Sequence, residues 1–138
     1  MNRSGLIARF KELSELSGYS FAYGFLYRIN EYPGTYPLVW LCPFDLVKRK
    51  KSGNAKNITF KVTMYLLVQS DDFTEYEKVS NWDKMENDAQ VIFDSLFTAT
   101  NDIQGFDDFT SEVDEFAVSN RGSISVKITA NVIIYDCE

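Results

Sequence analysis

Two runs of carboxylates are the densest chemical groupings in the chain: Asp71 and Asp72 with Glu75 and Glu77, and Asp107 and Asp108 with Glu112, Asp114 and Glu115. Oxygen ligands of this kind suit calcium or magnesium, but neither run has the spacing and central glycine of an EF-hand. A paired-carboxylate glycosidase needs two carboxyls at a set separation in a cleft, and a small domain offers little room for a deep one. The expectation is solvated or interface acids and no bound metal. The chain has no histidine, which removes Ser-His and Cys-His nucleophiles, the commonest general base and the commonest transition-metal ligand. Its two cysteines, Cys42 and Cys137, lie far apart and read as reduced thiols. They are too few for a zinc site, which takes about four ligands. The phosphate-loop, dinucleotide-loop and nucleophile-elbow motifs are missing from the sequence. These negatives predict a chain that is not an enzyme, needs no cofactor and works by binding other proteins.

Charge is distributed unevenly. The formal net charge is −6, yet the segment from Asp71 to Glu115 holds fourteen acidic and two basic residues, a net of −12. The rest of the chain holds twelve basic and six acidic residues, a net of +6. Five of those bases are Lys48, Arg49, Lys50, Lys51 and Lys56. One reading is a pair of solvated faces that keep the protein soluble. The sharper reading is that the basic segment of one copy meets the acidic region of another, with Asp71, Asp72, Glu75, Glu77, Asp107 and Asp108 on the acidic side. Such a contact joins two different patches head to tail and closes into a ring when the rotation allows. Non-specific proximity to DNA is a third reading of the basic stretch.

The elements that must carry these charges can be read from periodicity. The 138 residues, 45% of them hydrophobic and 15% aromatic, suit a single domain over residues 1–138 with a real core. No stretch has the roughly 18 apolar residues of a membrane span, and no secretory signal is evident, so a protein made in the cytoplasm is expected. Ser4 is placed to cap a first helix carrying Leu6, Ile7, Phe10, Leu13 and Leu16, and Gly18 is placed to end it. Alternation predicts a strand over Phe21–Ile29, a turn at Pro33-Gly34 and a short strand over Leu38–Cys42. Lys48 to Lys56 reads as a polar loop or extended hairpin tip, with Ser52-Gly53-Asn54 as its turn. Ile58–Val68 is the clearest strand, and Tyr65 and Leu67 predict cover on both its faces at the far end. Ser70 to Lys78 reads as an acidic loop. A second helix is expected from about Trp82 to Ala99, capped by Ser80 or Asn81, with an apolar stripe of Met85, Ala89, Ile92, Phe93, Leu96 and Phe97. Asn101 to Asp108 reads as a loop, followed by a hairpin of Phe109–Ser119 and Ile124–Tyr135 turning at Asn120-Arg121-Gly122. The fold class expected is α+β: a mostly antiparallel five-stranded sheet with two helices packed on one face, in the order α-β-β-β-α-β-β.

That order resembles the tail-terminator and tail-completion proteins of bacteriophages and the related head-tail neck proteins. The features that carry the resemblance are the Leu6–Leu16 helix, the strand beginning Tyr36-Pro37-Leu38-Val39-Trp40, and the charged segment Lys48–Lys56 leading into Ile58–Val68. The Trp82–Ala99 helix and the closing Val126–Tyr135 strand complete it. The resemblance implies a structural protein of the virion, in a ring that is usually sixfold, at the head-tail joint or the tail end. Its partners would be further copies of itself and other tail or neck proteins. It carries over no catalytic residues. The alternative reading is a cytoplasmic ferredoxin-like binding or regulatory module.

Overall fold

A computed structural model describes residues 1–52, 55–98, 102–115 and 122–137. Its centre is the pairing of β4 (Ala55–Gln69) with β6 (Ser123–Cys137), fifteen residues each, antiparallel and in unbroken register from Ala55↔Cys137 to Gln69↔Ser123. Ile58, Phe60, Val62, Met64 and Leu66 of β4 lie on one face with Ile124, Val126, Ile128, Ala130, Val132 and Ile134 of β6, and all are buried. Strict alternation over this length, rich in β-branched residues, specifies strands with one face sealed.

Two helices do the sealing. Helix α1 (Arg3–Leu16) buries Leu6, Phe10 and Leu13, and helix α2 (Glu75–Ser95) buries Met85, Ala89, Ile92 and Phe93 in the same core. Phe93 is the aromatic hub. Its ring meets Phe10 of α1 at 5.4 Å and two rings of β5 (Ile103–Glu115), Phe106 at 5.4 Å and Phe109 at 5.3 Å, all edge-on. Arg9 fastens α1 to the end of α2: its Nε donates to the Leu96 carbonyl at 3.3 Å, and Nη2 donates to the Ser95 and Thr98 carbonyls at 2.8 Å each. A cation on the last carbonyls satisfies acceptors that a helix leaves unpaired.

The sheet has six strands, in the order β1-β2-β4-β6-β5, with β3 also pairing to β4. The expectation of an α+β fold with a largely antiparallel sheet and two helices on one face agrees at that level; several details differ. The first strand, β1 (Ser20–Tyr23), is only four residues long and runs parallel to β2 (Leu38–Leu41). The alternation beyond Tyr23 is not a strand. The Trp40 indole donates to the Gly24 carbonyl at 2.9 Å, and the chain turns into a 3₁₀ helix over Leu26–Glu31. Of the residues that suggested a longer strand, Ile29 is buried, whereas Phe25 and Tyr27 are exposed and stacked on each other. Ile29 joins Leu38, Trp40, Tyr65 and Leu67 in a second small core on the opposite face of the sheet. This is the two-sided cover that Tyr65 and Leu67 indicated.

The basic segment is not a loop but a strand, β3 (Asp45–Ser52), paired antiparallel with β4 and bulged between Leu46 and Lys48. Because β2 occupies β4 only from Met64 to Leu67, the remaining edge of β4 from Ala55 to Lys61 is available, and β3 takes it. Gly53 and Asn54 of the expected turn lie outside the described residues.

Helix α2 starts seven residues before Trp82. Thr74 accepts from the Glu77 N–H at 3.2 Å and the Glu77 carboxylate accepts from the Thr74 N–H at 3.3 Å, a capping box. Ser80 and Asn81 therefore lie inside the helix, which ends at Ser95; Ala99 is outside the described residues. Asn2, not Ser4, caps α1, accepting from the Gly5 N–H at 3.0 Å. Strand β5 begins at Ile103, so most of the expected 101–108 loop is strand; Asn101, residues 116–119, Asn120 and Arg121 fall outside the described residues.

Because the Phe93 ring ties both helices to β5, Phe93→Ala is expected to lower the unfolding free energy by about 3–5 kcal/mol, read from the midpoint of urea denaturation at unchanged slope.

Candidate functional site: two charged edges of one sheet

The sheet runs β3-β4-β6-β5 across its wider half, so β3 and β5 lie on opposite edges with two strands between them. At the usual strand spacing they are roughly 14 Å apart. Strand β3 carries Lys48, Arg49, Lys50 and Lys51, all exposed, while Lys56 stands across from Lys51 at the start of β4. Register assigns their faces. Lys48 and Lys50, opposite Thr59 and Asn57, are on the face away from the helices; Arg49 and Lys51, opposite Ile58 and Lys56, are on the helix side. A groove of about 220 Å³ lined by Lys48, Lys50, Asn57, Thr59, Gln104 and Ile133 opens on the face away from the helices. It offers two ammonium groups, two amides and a hydroxyl and has no carboxylate in its lining, a chemistry that receives an anion.

Strand β5 carries Asp107, Asp108, Glu112, Asp114 and Glu115 and no basic residue. A bulge between Asp107 and Thr110 places Asp108 at φ 53°, where the Asn131 amide donates to its carboxylate at 3.2 Å. The extra residue lets Phe106 and Phe109 both reach the core. Beyond it, Glu112 and Asp114, opposite Lys127 and Ser125, share the face of Lys48 and Lys50, while Ser111 donates to Glu86 of α2 on the helix side.

The other expected acids have different surroundings. Asp71 and Asp72 are exposed in the turn after β4, where Ser70 donates its N–H to the Gly122 carbonyl at 2.9 Å. Gly122 has φ 61°, a left-handed conformation that glycine adopts without steric cost, and lies against the exposed Asp71 carboxylate. Glu75 and Glu77 are in the first turn of α2, where negative charge is favoured by the helix dipole. The structure thus separates the expected acidic patch into a helix start and a strand edge. The two are linked by Lys78, whose Nζ reaches Glu75 at 3.0 Å and Glu115 at 2.6 Å. The hydrogen bond to Glu115 first, and that to Glu75 second, raise the pKa of Lys78 above its ordinary value. Glu112, Asp114 and Glu115, which the sequence groups with Asp107 and Asp108 but which were not expected at the contact, belong with the candidate residues; Glu112 and Asp114, two apart on a strand, share one face. Among the described residues no three carboxylates or thiols converge closely enough to hold a metal ion.

Nearby titratable groups are held neutral. Burial pushes the Cys42 thiol up to about 11, only partly offset by the charge of Lys127. Tyr65 is raised by burial and then by Cys42, Glu112 and Asp114. On the other side of the sheet, Tyr19 donates to Asp88 at 2.6 Å, and burial followed by Asp88 moves its pKa far above the usual phenol range.

These features define an α+β protein with a sheet sealed on one face by helices and edged by opposite charges. No protein-family model matches the chain, and no curated protein matches it significantly. Among the described residues no helix is long and apolar enough to cross a membrane.

Lys78 has a raised folded-state pKa, so its contribution to folding is fully present below its unperturbed value of 10.5 and fades as pH climbs through the higher folded value. Lys78→Met is expected to be less stable than the parent in urea at neutral pH, with the gap narrowing above pH 10.5. In a Cys137→Ser background, alkylation of Cys42 by iodoacetamide is expected to be slow near neutral pH and to accelerate as the pH approaches about 11.

Proposed function

We propose that this chain is a non-enzymatic structural protein of a bacteriophage virion, assembling head to tail into a ring at the head-tail joint or the tail end. One observation carries the reading: the basic and acidic segments lie on two different edges of the same sheet. Identical copies can therefore meet basic edge to acidic edge, each copy offering one of each. A contact between two different patches repeats around an axis and closes when the rotation fits, whereas a self-complementary patch stops at a dimer. The order of elements supports the same reading. An N-terminal helix, an extended charged hairpin, a helix on the sheet and a closing pair of strands follow the pattern of phage tail-terminator and neck proteins. The neighbours of such a ring would be other tail or neck proteins.

Negative-stain images and native mass spectra of the purified chain are expected to show a closed ring, sixfold or a multiple. A strict monomer at roughly 100 µM, about a hundred times the concentration at which a micromolar contact half-forms, together with no virion protein retained from a phage lysate, would overturn the reading. Lys48→Glu/Lys50→Glu is expected to weaken assembly at least tenfold, and rising salt to weaken the parent, since the Debye length shrinks from about 10 Å at 0.1 M to about 3 Å at 1 M. Adding Glu112→Lys/Asp114→Lys to the doubly reversed chain is expected to restore assembly.

A further inference from the structure

We propose that the joint between copies is a continuous β-sheet, in which the outer edge of β3 in one copy pairs antiparallel with the outer edge of β5 in the next. The inference rests on the head-to-tail reading above and specifies how the two edges meet.

Each strand has a single partner among the described residues: β3 pairs only with β4, and β5 only with β6. One side of each backbone is therefore left with the unpaired N–H and C=O groups that make an edge a template for another strand. Trp82 of α2 donates to the Asp114 carbonyl at 3.3 Å and so fastens the helix to the end of β5. Regular, unbulged pairing runs from Lys48 to Ser52 in β3 and from Thr110 to Glu115 in β5. These runs of five to six residues match an ordinary strand of about 17–20 Å.

Direction agrees. Strand β3 is antiparallel to β4, β4 to β6, and β6 to β5, so β3 and β5 run in opposite directions within one copy. A second copy set beside the first in the same orientation then brings its β3 against β5 in the antiparallel sense, the slightly more stable one.

The faces agree as well. Lys48 and Lys50 share the open face with Glu112, while Arg49 and Lys51 share the helix side with Ser111 and Val113 and, at the end of the run, Glu115. In a sheet continued across the joint, cations and carboxylates on the same face become cross-strand neighbours, each opposite-charge pair being favourable. The alternatives are disfavoured by the same residues: β3 on β3 sets lysines and arginine against one another, and β5 on β5 sets carboxylates together. Charged, bulged edges are a common defence against stray strand pairing. A general defence would work with one sign on both edges; opposite signs leave one pairing open, that of β3 with β5.

Backbone hydrogen exchange tests the joint. The parent chain in its assembled form is compared by mass spectrometry with the Lys48→Glu/Lys50→Glu chain held as a monomer. Amides of residues 48–52 and 110–113 are expected to exchange at least tenfold more slowly in the assembly. A ring whose protection arises on another surface, with these two runs unchanged, overturns the continuous sheet and leaves the ring reading standing. Absence of any assembly overturns both. As a second readout, Lys50→Cys and Glu112→Cys chains in a Cys42→Ser/Cys137→Ser background are mixed and oxidised. Rapid formation of the mixed disulfide supports the pairing, because a disulfide needs Cα atoms about 4.4–6.8 Å apart; failure of the mixed ring to cross-link overturns it.

Discussion

The unbroken register between β4 and β6 is the constraint on which the rest of the molecule depends. From Ile58 to Leu66 and from Ile124 to Ile134 every second residue is apolar and faces the helices, so a slip of one residue would turn both rows toward water. With that pair fixed, the positions of the other strands follow. Strands β2 and β3 share the remaining edge of β4, while β5 takes the remaining edge of β6. Opposite charges are thereby carried to opposite margins of a single rigid plate.

The helices serve this plate chiefly by closing one side of it. Their attachments are specific: Arg9 on the last carbonyls of α2, Tyr19 on Asp88, and Lys78 between Glu75 and Glu115. The last of these anchors the end of β5 to the start of α2, so the acidic margin is held by the same helix whose Phe93 packs beneath it. Among the described residues strand β3 has no comparable support: it is exposed along its charged run and pairs with β4 alone. The plate therefore has one braced margin and one that projects. An arrangement that repeats identical copies would place the projecting margin against the braced one.

Legibility in the sequence followed burial. The two long strands and most of the apolar stripes of both helices were readable because a sealed face imposes a period on residue type; Leu16 and Phe97, at the ends of those stripes, are exposed. Strand β3 was not readable as a strand: Asp45 to Lys51 are exposed, and no face of it is under pressure to be apolar. Conversely, Phe25, Tyr27 and Ile29 alternate as a strand would, yet they belong to a 3₁₀ turn that buries only one of them. The start of α2 could have been found from Thr74 and Glu77, whose types and spacing form a capping box, but the carboxylates around them suggested a loop. The candidate site was legible as charge and not as position. The basic and acidic segments could be counted in the sequence, while their assignment to opposite edges needed the pairing of β3 with β4 and of β5 with β6.

The bulge at Asp108 has a consequence beyond admitting both phenylalanines to the core. A strand alternates with a period of two, so one surplus residue inverts the orientation of everything after it. Removing Asp108 or its neighbour would rotate Glu112 and Asp114 beneath α2, bring Ser111 and Val113 out to the open face, and carry Glu115 away from Lys78. Substitutions along this strand alter one side chain at a time. A single-codon deletion here would reorient Glu112, Asp114 and Glu115 at once while leaving Asp107 in place.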